Sequence, residues 1–254
     1  MANAGRIPWL WLLLGGVVGL AVAAMLLVLV GPLAFTAFNG GSSYRIRDSA
    51  MAPVLLPGDW VLAEALTPGE TPERGALVAY LVPGQRGAEQ IRRVVGLPGE
   101  TVQIRGGAVY INGYRALMER LEDRVLPNRR EGRGLPPAMC INDERSRTGP
   151  CIQEVWRETL PGGRSVRVLN TRNRIGHSVP GRNVSDDTSV MRIPNGQVFL
   201  LGDNRDSALD SRNTGHGPVP ISRLRYQVSL IHTSLDRTAR FITPRWNRFF
   251  REVE

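Results

Sequence analysis

Residues 47–59 read Arg-Asp-Ser-Ala-Met-Ala-Pro-Val-Leu-Leu-Pro-Gly-Asp. On the N-terminal side of this stretch, no residue from Ile7 to Tyr44 carries a charge. On its C-terminal side begins a series of short β-type runs divided by turn residues. The stretch therefore marks the junction between an apolar leader and a β-rich body.

Within the leader, Trp9 to Phe38 is long enough to cross about 30 Å of hydrocarbon at about 1.5 Å per residue. Trp9 and Trp11 would lie at one interface. Ala21-Val22-Ala23 imitates a leader cleavage site, but the apolar character continues through Met25–Val30. A cleaved leader has a shorter apolar region, so an uncleaved N-terminal transmembrane helix is expected. Arg6 favours the N-terminus inside, whereas Arg45 and Arg47 argue the other way.

The chain has 254 residues and a net charge of +9, and all 32 basic residues are arginine. No reaction that needs a lysine of this chain can occur. The arginines are scattered and no nucleic-acid-reading motif is present, so no nucleic acid is expected as partner. Anionic headgroups of a lipid bilayer suit the charge better. Cys140 and Cys151 are the only cysteines. A short disulfide between them suits an oxidising compartment, and two free thiols are the alternative.

Strands are expected at 60–66, 76–82, 91–97, 101–104, 108–111, 197–202 and 226–232, with tight turns at Arg105-Gly106-Gly107 and Asn112-Gly113. The body is mainly β. Residues 1–44 form the anchor and joint, 45–114 and 194–236 two parts of one β core, and 115–193 an arginine- and glycine-rich insertion. The tail, 237–254, combines arginines with Trp246, Phe249 and Phe250. A helix begun near Pro244 would put these aromatics on one face, either against a membrane surface or docked on the body.

Three stretches carry a resemblance to type I signal peptidase, the membrane-bound serine protease that removes signal peptides from exported proteins. Met51-x-Pro53 with Leu55-Leu56-Pro57-Gly58-Asp59 is similar to the family's Ser-x-Ser-Met-x-Pro segment and its Gly-Asp sequel. Ile91–Glu100 (IRRVVGLPGE) resembles Ile-Lys-Arg-Val-Val-Gly-Leu-Pro-Gly-Asp. Gly202–Arg212 (GDNRDSALDSR) resembles Gly-Asp-Asn-Arg-Asp-Asn-Ser-x-Asp-Ser-Arg. The resemblance implies a signal-peptidase-like β-domain at the outer face of the plasma membrane, held by a single span. It also implies an extended groove for signal peptides and preproteins, bordered by Asp48, Met51 and Pro53. In the family a serine attacks the scissile carbonyl and a buried lysine takes its proton, which requires desolvation to lower the lysine pKa.

Four positions depart from that pattern. Ala50 stands at the nucleophile position and Arg92 at the base position, where a guanidinium keeps its proton. Ala208 replaces the serine that helps hold the lysine. Asp48 stands where the family often has a serine donating to the oxyanion, and a carboxylate there would repel one. A buried Arg92 needs a carboxylate, and in an extended segment Asp48 and Ala50 face the same side, so an Asp48–Arg92 ion pair is expected. The substitute pair would be Ser49 as nucleophile and His216, in the loop after the third motif, as base; His177 and His232 are less suitably placed.

The expectation is a family homologue without serine–lysine protease activity, binding signal peptides, an active peptidase or translocation machinery by strand addition. The rivals are an active signal peptidase using a nonstandard nucleophile or base, and a structural membrane subunit. Asp203, Arg205, Asp206, Asp210 and Arg212 alternate in sign and suit a network of arginine–carboxylate pairs. With two arginines among the acids, Asp203, Asn204, Asp206 and Asp210 are not read as a metal site, and no cofactor is expected. Gly96, Gly99 and Gly202 are read as turn and close-approach positions.

Overall fold

A computed structural model describes residues 15–23, 25–26, 30–32, 34, 40–127, 138–142, 150–170, 186–213, 215–236 and 242–253. The described residues from 15 to 34 are helical, and Val17, Val18 and Leu20 are exposed. The rest of the expected span over 9–38 lies outside the described residues, as does His177. Among the described residues no helix is long and apolar enough to cross a membrane.

The body begins with β1 (Ser42–Arg45), β2 (Asp59–Ala65), β3 (Leu77–Leu81) and β4 (Glu89–Gly96). Next come β5 (Thr101–Arg105), β6 (Ala108–Ile111) and β7 (Tyr114–Arg115), joined by two-residue turns at Gly106-Gly107 and Asn112-Gly113. All four turn residues have positive φ, which matches the right-handed twist of the flanking strands. Within 115–193 lie β8 (Leu117–Arg120), β9 (Arg124–Leu126), β10 (Cys151–Gln153), β11 (Val155–Thr159), β12 (Ser165–Leu169) and β13 (Met191–Arg192). A disulfide joins Cys140 to Cys151 beside β10. The chain closes with β14 (Gln197–Leu201), β15 (Val219–Pro220), β16 (Leu224–Asp236), β17 (Thr243–Pro244) and β18 (Arg251–Glu252).

The principal sheet runs β1-β2-β16-β3-β4-β14-β15, with β17 and β18 on the far half of β16. It is antiparallel throughout, and its long central strand carries several register shifts. Both faces are covered, which explains the near-continuous apolar runs in β3 and β14. Leu77, Ala79 and Ile91 pack with Met51, Val54 and Val61 on one side. Val78, Tyr80 and Val94 pack with Val198, Leu200 and Val219 on the other. A third cluster, from Val102, Ile104, Val109 and Ile111, closes over Val95 and Phe199.

The tail differs from the expected helix. It forms a single 3-10 turn, Trp246–Arg248, between β17 and β18. Its backbone pairs with the free edge of β16: Arg245 N–H donates to Ser234 O at 2.9 Å and Val253 N–H to Ser229 O at 3.0 Å. A strand edge offering a row of unpaired groups outcompetes an isolated short helix. Trp246 and Phe250 stay exposed, and the Trp246 and Phe249 rings lie 4.9 Å apart.

The turn also delivers Arg248 to Asp59, the last residue of the opening stretch. Asp59 is fully buried and accepts from Ser234 Oγ at 2.6 Å, from Leu56 N–H at 2.7 Å and from Arg248 Nη2 at 2.5 Å. Arg248 also donates to Val54 O at 2.7 Å. Gly58 makes this approach possible: with φ +93, a Cβ there would lie 2.0 Å from Leu235 O. Replacing Arg248 with Met would leave the buried Asp59 carboxylate with only the more distant Arg245 Nη2, at 3.9 Å, as cation. Denaturant unfolding should then show a loss of about 3–5 kcal/mol, and an unchanged midpoint would refute the role given to this pair.

Candidate functional site

The segment 48–55 is a chain of turns. Asp48 Oδ1 accepts the N–H of Ala50 at 3.0 Å, Ala52 N–H donates to Ser49 O at 3.1 Å, and Leu55 N–H to Met51 O at 2.8 Å. A side chain that bonds its own backbone two residues on bends the chain locally. The alternation assumed for an extended segment does not apply here. The expected Asp48–Arg92 ion pair is accordingly not formed, and Asp48 is exposed.

The loop Gly202–Arg212 holds this turn from below. Asn204 N–H donates to Ala50 O at 3.0 Å, and its Nδ2 donates to Ser49 O at 3.0 Å. Gly202 has no room for a side chain, since a Cβ would lie 2.1 Å from Ala208 Cβ and 2.7 Å from Ala50 O. The loop is fixed in turn by buried ion pairs. Arg93 grips Asp203 through Nε and Nη2, both at 2.6 Å, and donates Nη1 to Gly75 O at 2.7 Å. Arg212 grips Asp210 through two contacts of 2.9 Å. Arg205 pairs bidentately with Glu158 of β11. Burial alone would raise the Asp210 pKa, but Arg212 and the N–H groups of Gly202 and Arg212 hold it below the usual value.

The alternating signs thus reflect a network, but only Arg212–Asp210 is internal to the loop. The partner of Arg205 comes from the 115–193 segment, which also bridges Leu169 to Asn204. Nothing in the sequence singles out Glu158, 47 residues from Arg205, beyond its being an acid in a strand. Asp203 and Asp210 are occupied by arginines, and no cluster of metal-ligand type exists among the described residues.

A groove of about 540 Å³ opens beside the turn, lined by Tyr44, Asp48, Met51, Trp60, Ile91 and Arg92 among others. Its two long walls are strand edges. β1 pairs only with β2, and β4 pairs with β14 only from Arg93 onward, leaving Glu89–Arg92 unpaired on that side among the described residues. Tyr44 Oη donates to Glu89 Oε2 at 2.9 Å and connects the walls. Sequence reasoning missed Tyr44, Trp60 and Glu89, because only the curl of the sheet brings β1 opposite β4.

Arg92 is 3% exposed. Its Nε donates to Leu209 O at 2.9 Å and its Nη1 to Ile91 O at 2.6 Å. Ala50 and Ala208 are buried, Met51 and Pro53 are buried beneath the turn, and Ser49 is half-buried. His216 is also half-buried; burial, then the Arg92 charge, lowers its pKa from the ordinary 6.5, with Asp210 opposing. No hydrogen bond joins Ser49 to His216. In an NMR titration the His216 ring should therefore have its midpoint below 6.5, and Arg92→Met should raise it. The unfolded chain takes this proton first, so the contribution to stability is lost as pH falls from 6.5 towards the native midpoint. A midpoint unmoved by Arg92→Met would refute the contact.

Comparison with known proteins bears on this arrangement. The Signal peptidase I of Rickettsia prowazekii (strain Madrid E) is 31% identical over 154 residues, covering 58% of this chain and 47% of that protein. That of Rickettsia canadensis (strain McKiel) is 31% identical over 158 residues, with the same coverage. The chain spans about half the length of the curated relatives it matches. A crystal structure of a signal peptidase I from Enterococcus faecalis V583 aligns at a TM-score of 0.29 and 20% identity, over 61% of this chain and 94% of that one. The family model described as "Signal peptidase, peptidase S26" matches residues 17–233. With most of its length under that match, the chain belongs to the signal peptidase (peptidase S26) family.

Proposed function

We propose that this chain is a membrane-anchored signal peptidase homologue that binds signal peptides as an added strand and does not cleave them by serine–lysine chemistry. The observation that carries the reading is the Arg92 guanidinium, buried at the groove where the family's base belongs. General-base catalysis needs a group that can accept a proton near neutral pH, and a guanidinium cannot. Ala50 and Ala208 offer only methyl groups, and Asp48 brings a negative charge where an oxyanion would develop.

Peptide binding is supported by the unpaired strand edges of β1 and β4 on either side of the groove. An extended peptide laid between them gains main-chain hydrogen bonds, the usual basis of strand addition. The exposed apolar helix from residue 15 and the exposed Trp246 and Phe250 support attachment to a bilayer. The disulfide supports placement of the body on the outer side.

One observation favours the rival reading of an active enzyme. His216, with its lowered pKa, is neutral at pH 7 and able to accept a proton. The missing Ser49–His216 hydrogen bond weighs against it.

Turnover of a labelled signal-peptide substrate separates these readings. The native chain should show none, and Ala50→Ser no more than a trace. Ala50→Ser with Arg92→Lys should exceed Ala50→Ser by about 100-fold or more, the usual contribution of a positioned base. Turnover by the native chain, lost in Ser49→Ala, would overturn the proposal in favour of the rival.

A further inference from the structure

Five arginines of the described residues are buried, and four of them have a carboxylate partner. Arg93 has Asp203, Arg205 has Glu158, Arg212 has Asp210 and Arg248 has Asp59. Arg92 has none among the described residues. Its guanidinium holds two backbone carbonyls, and its Nη2 hydrogens find no acceptor there. A buried charge without a counter-charge is costly, and a fixed fork of donors is well matched to a carboxylate.

The acids of the site are each held by another group. Asp210, whose field is felt by the neighbouring His216 and Tyr80, is committed to Arg212 and to the Gly202 N–H at 3.0 Å. Asp48 Oδ1 is held by Ala50 N–H. Glu89 accepts from Tyr44. The groove itself is cationic: Arg45, Arg47 and Arg92 line it against Asp48 and Glu89.

We infer that Arg92 receives the C-terminal carboxylate of an extended peptide bound in this groove, so that the site selects chains already cut over chains that continue. The inference rests on the groove-binding reading above. A continuing peptide presents a neutral carbonyl at that wall. A cut one presents two charged acceptors to the unfilled side of the guanidinium.

The test uses the full chain in detergent micelles and one extended peptide, fluorescein-labelled at its N-terminus, made as the free acid and as the C-terminal amide. Fluorescence anisotropy should show the acid binding about 10- to 100-fold more tightly, the range for a hydrogen bond to a charged group. In Arg92→Met, checked for folding by near-UV circular dichroism, the acid should fall to the affinity of the amide. Arg92→Lys should keep part of the preference. Equal affinity of both peptides for the native chain overturns the inference and leaves the groove reading intact. Discrimination that survives in folded Arg92→Met overturns the assignment to Arg92. Binding of neither peptide overturns the groove reading and the inference together. The native comparison decides the carboxylate question even if Arg92→Met does not fold.

Discussion

Arg93 and Asp203, each with a side chain about 1% exposed, meet through two hydrogen bonds of 2.6 Å, and the architecture of the site hangs on them. The pair joins β4 to the loop that follows β14. That loop supports the turn at Ser49-Ala50 through both donors of Asn204. The same loop backbone meets Leu169, whose N–H reaches Asp203 O at 2.8 Å. One ion pair therefore sets where the opening stretch, the groove wall and the inserted segment stand relative to each other. Such a pair adds little net stability over an apolar substitute, but losing one partner strands a buried charge.

Neighbouring residues on β4 contrast a buried cation paired within the fold with one held only by backbone carbonyls among the described residues. Arg93 and Arg92 are adjacent, both buried and both held by backbone carbonyls. Only Arg93 has an acid built for it. Among the described residues every other buried arginine pairs with a carboxylate, and the exception lies at the groove, where a partner can arrive from outside. The frame of a peptidase is thus compatible with recognition in place of bond cleavage, because holding an extended peptide and attacking it use different atoms.

Much of the body was legible in the sequence, since short apolar runs rich in β-branched residues and bounded by Gly, Asn and Pro favour strands. The Gly106-Gly107 and Asn112-Gly113 hairpins followed from the demand for positive φ. What escaped notice depended on bonds of a few atoms or on long-range closure. Asp48 turned inward on Ala50 N–H, which destroyed the period of two and with it the expected Asp48–Arg92 pair. The tail paired with β16 because an edge lay open there. Glu158 became the partner of Arg205 only through the docking of β11, and Tyr44 met Glu89 only through the curl of the sheet.

Amide hydrogen exchange, followed in the same samples as the mass of an added signal peptide, tests the account most directly. If the groove is retained and the chemistry lost, exchange at 42–47 and 87–92 slows on adding peptide while the peptide mass stays unchanged over hours. A shortened peptide would contradict the loss of cleavage. Unaltered exchange along both strands at saturating peptide would contradict the groove.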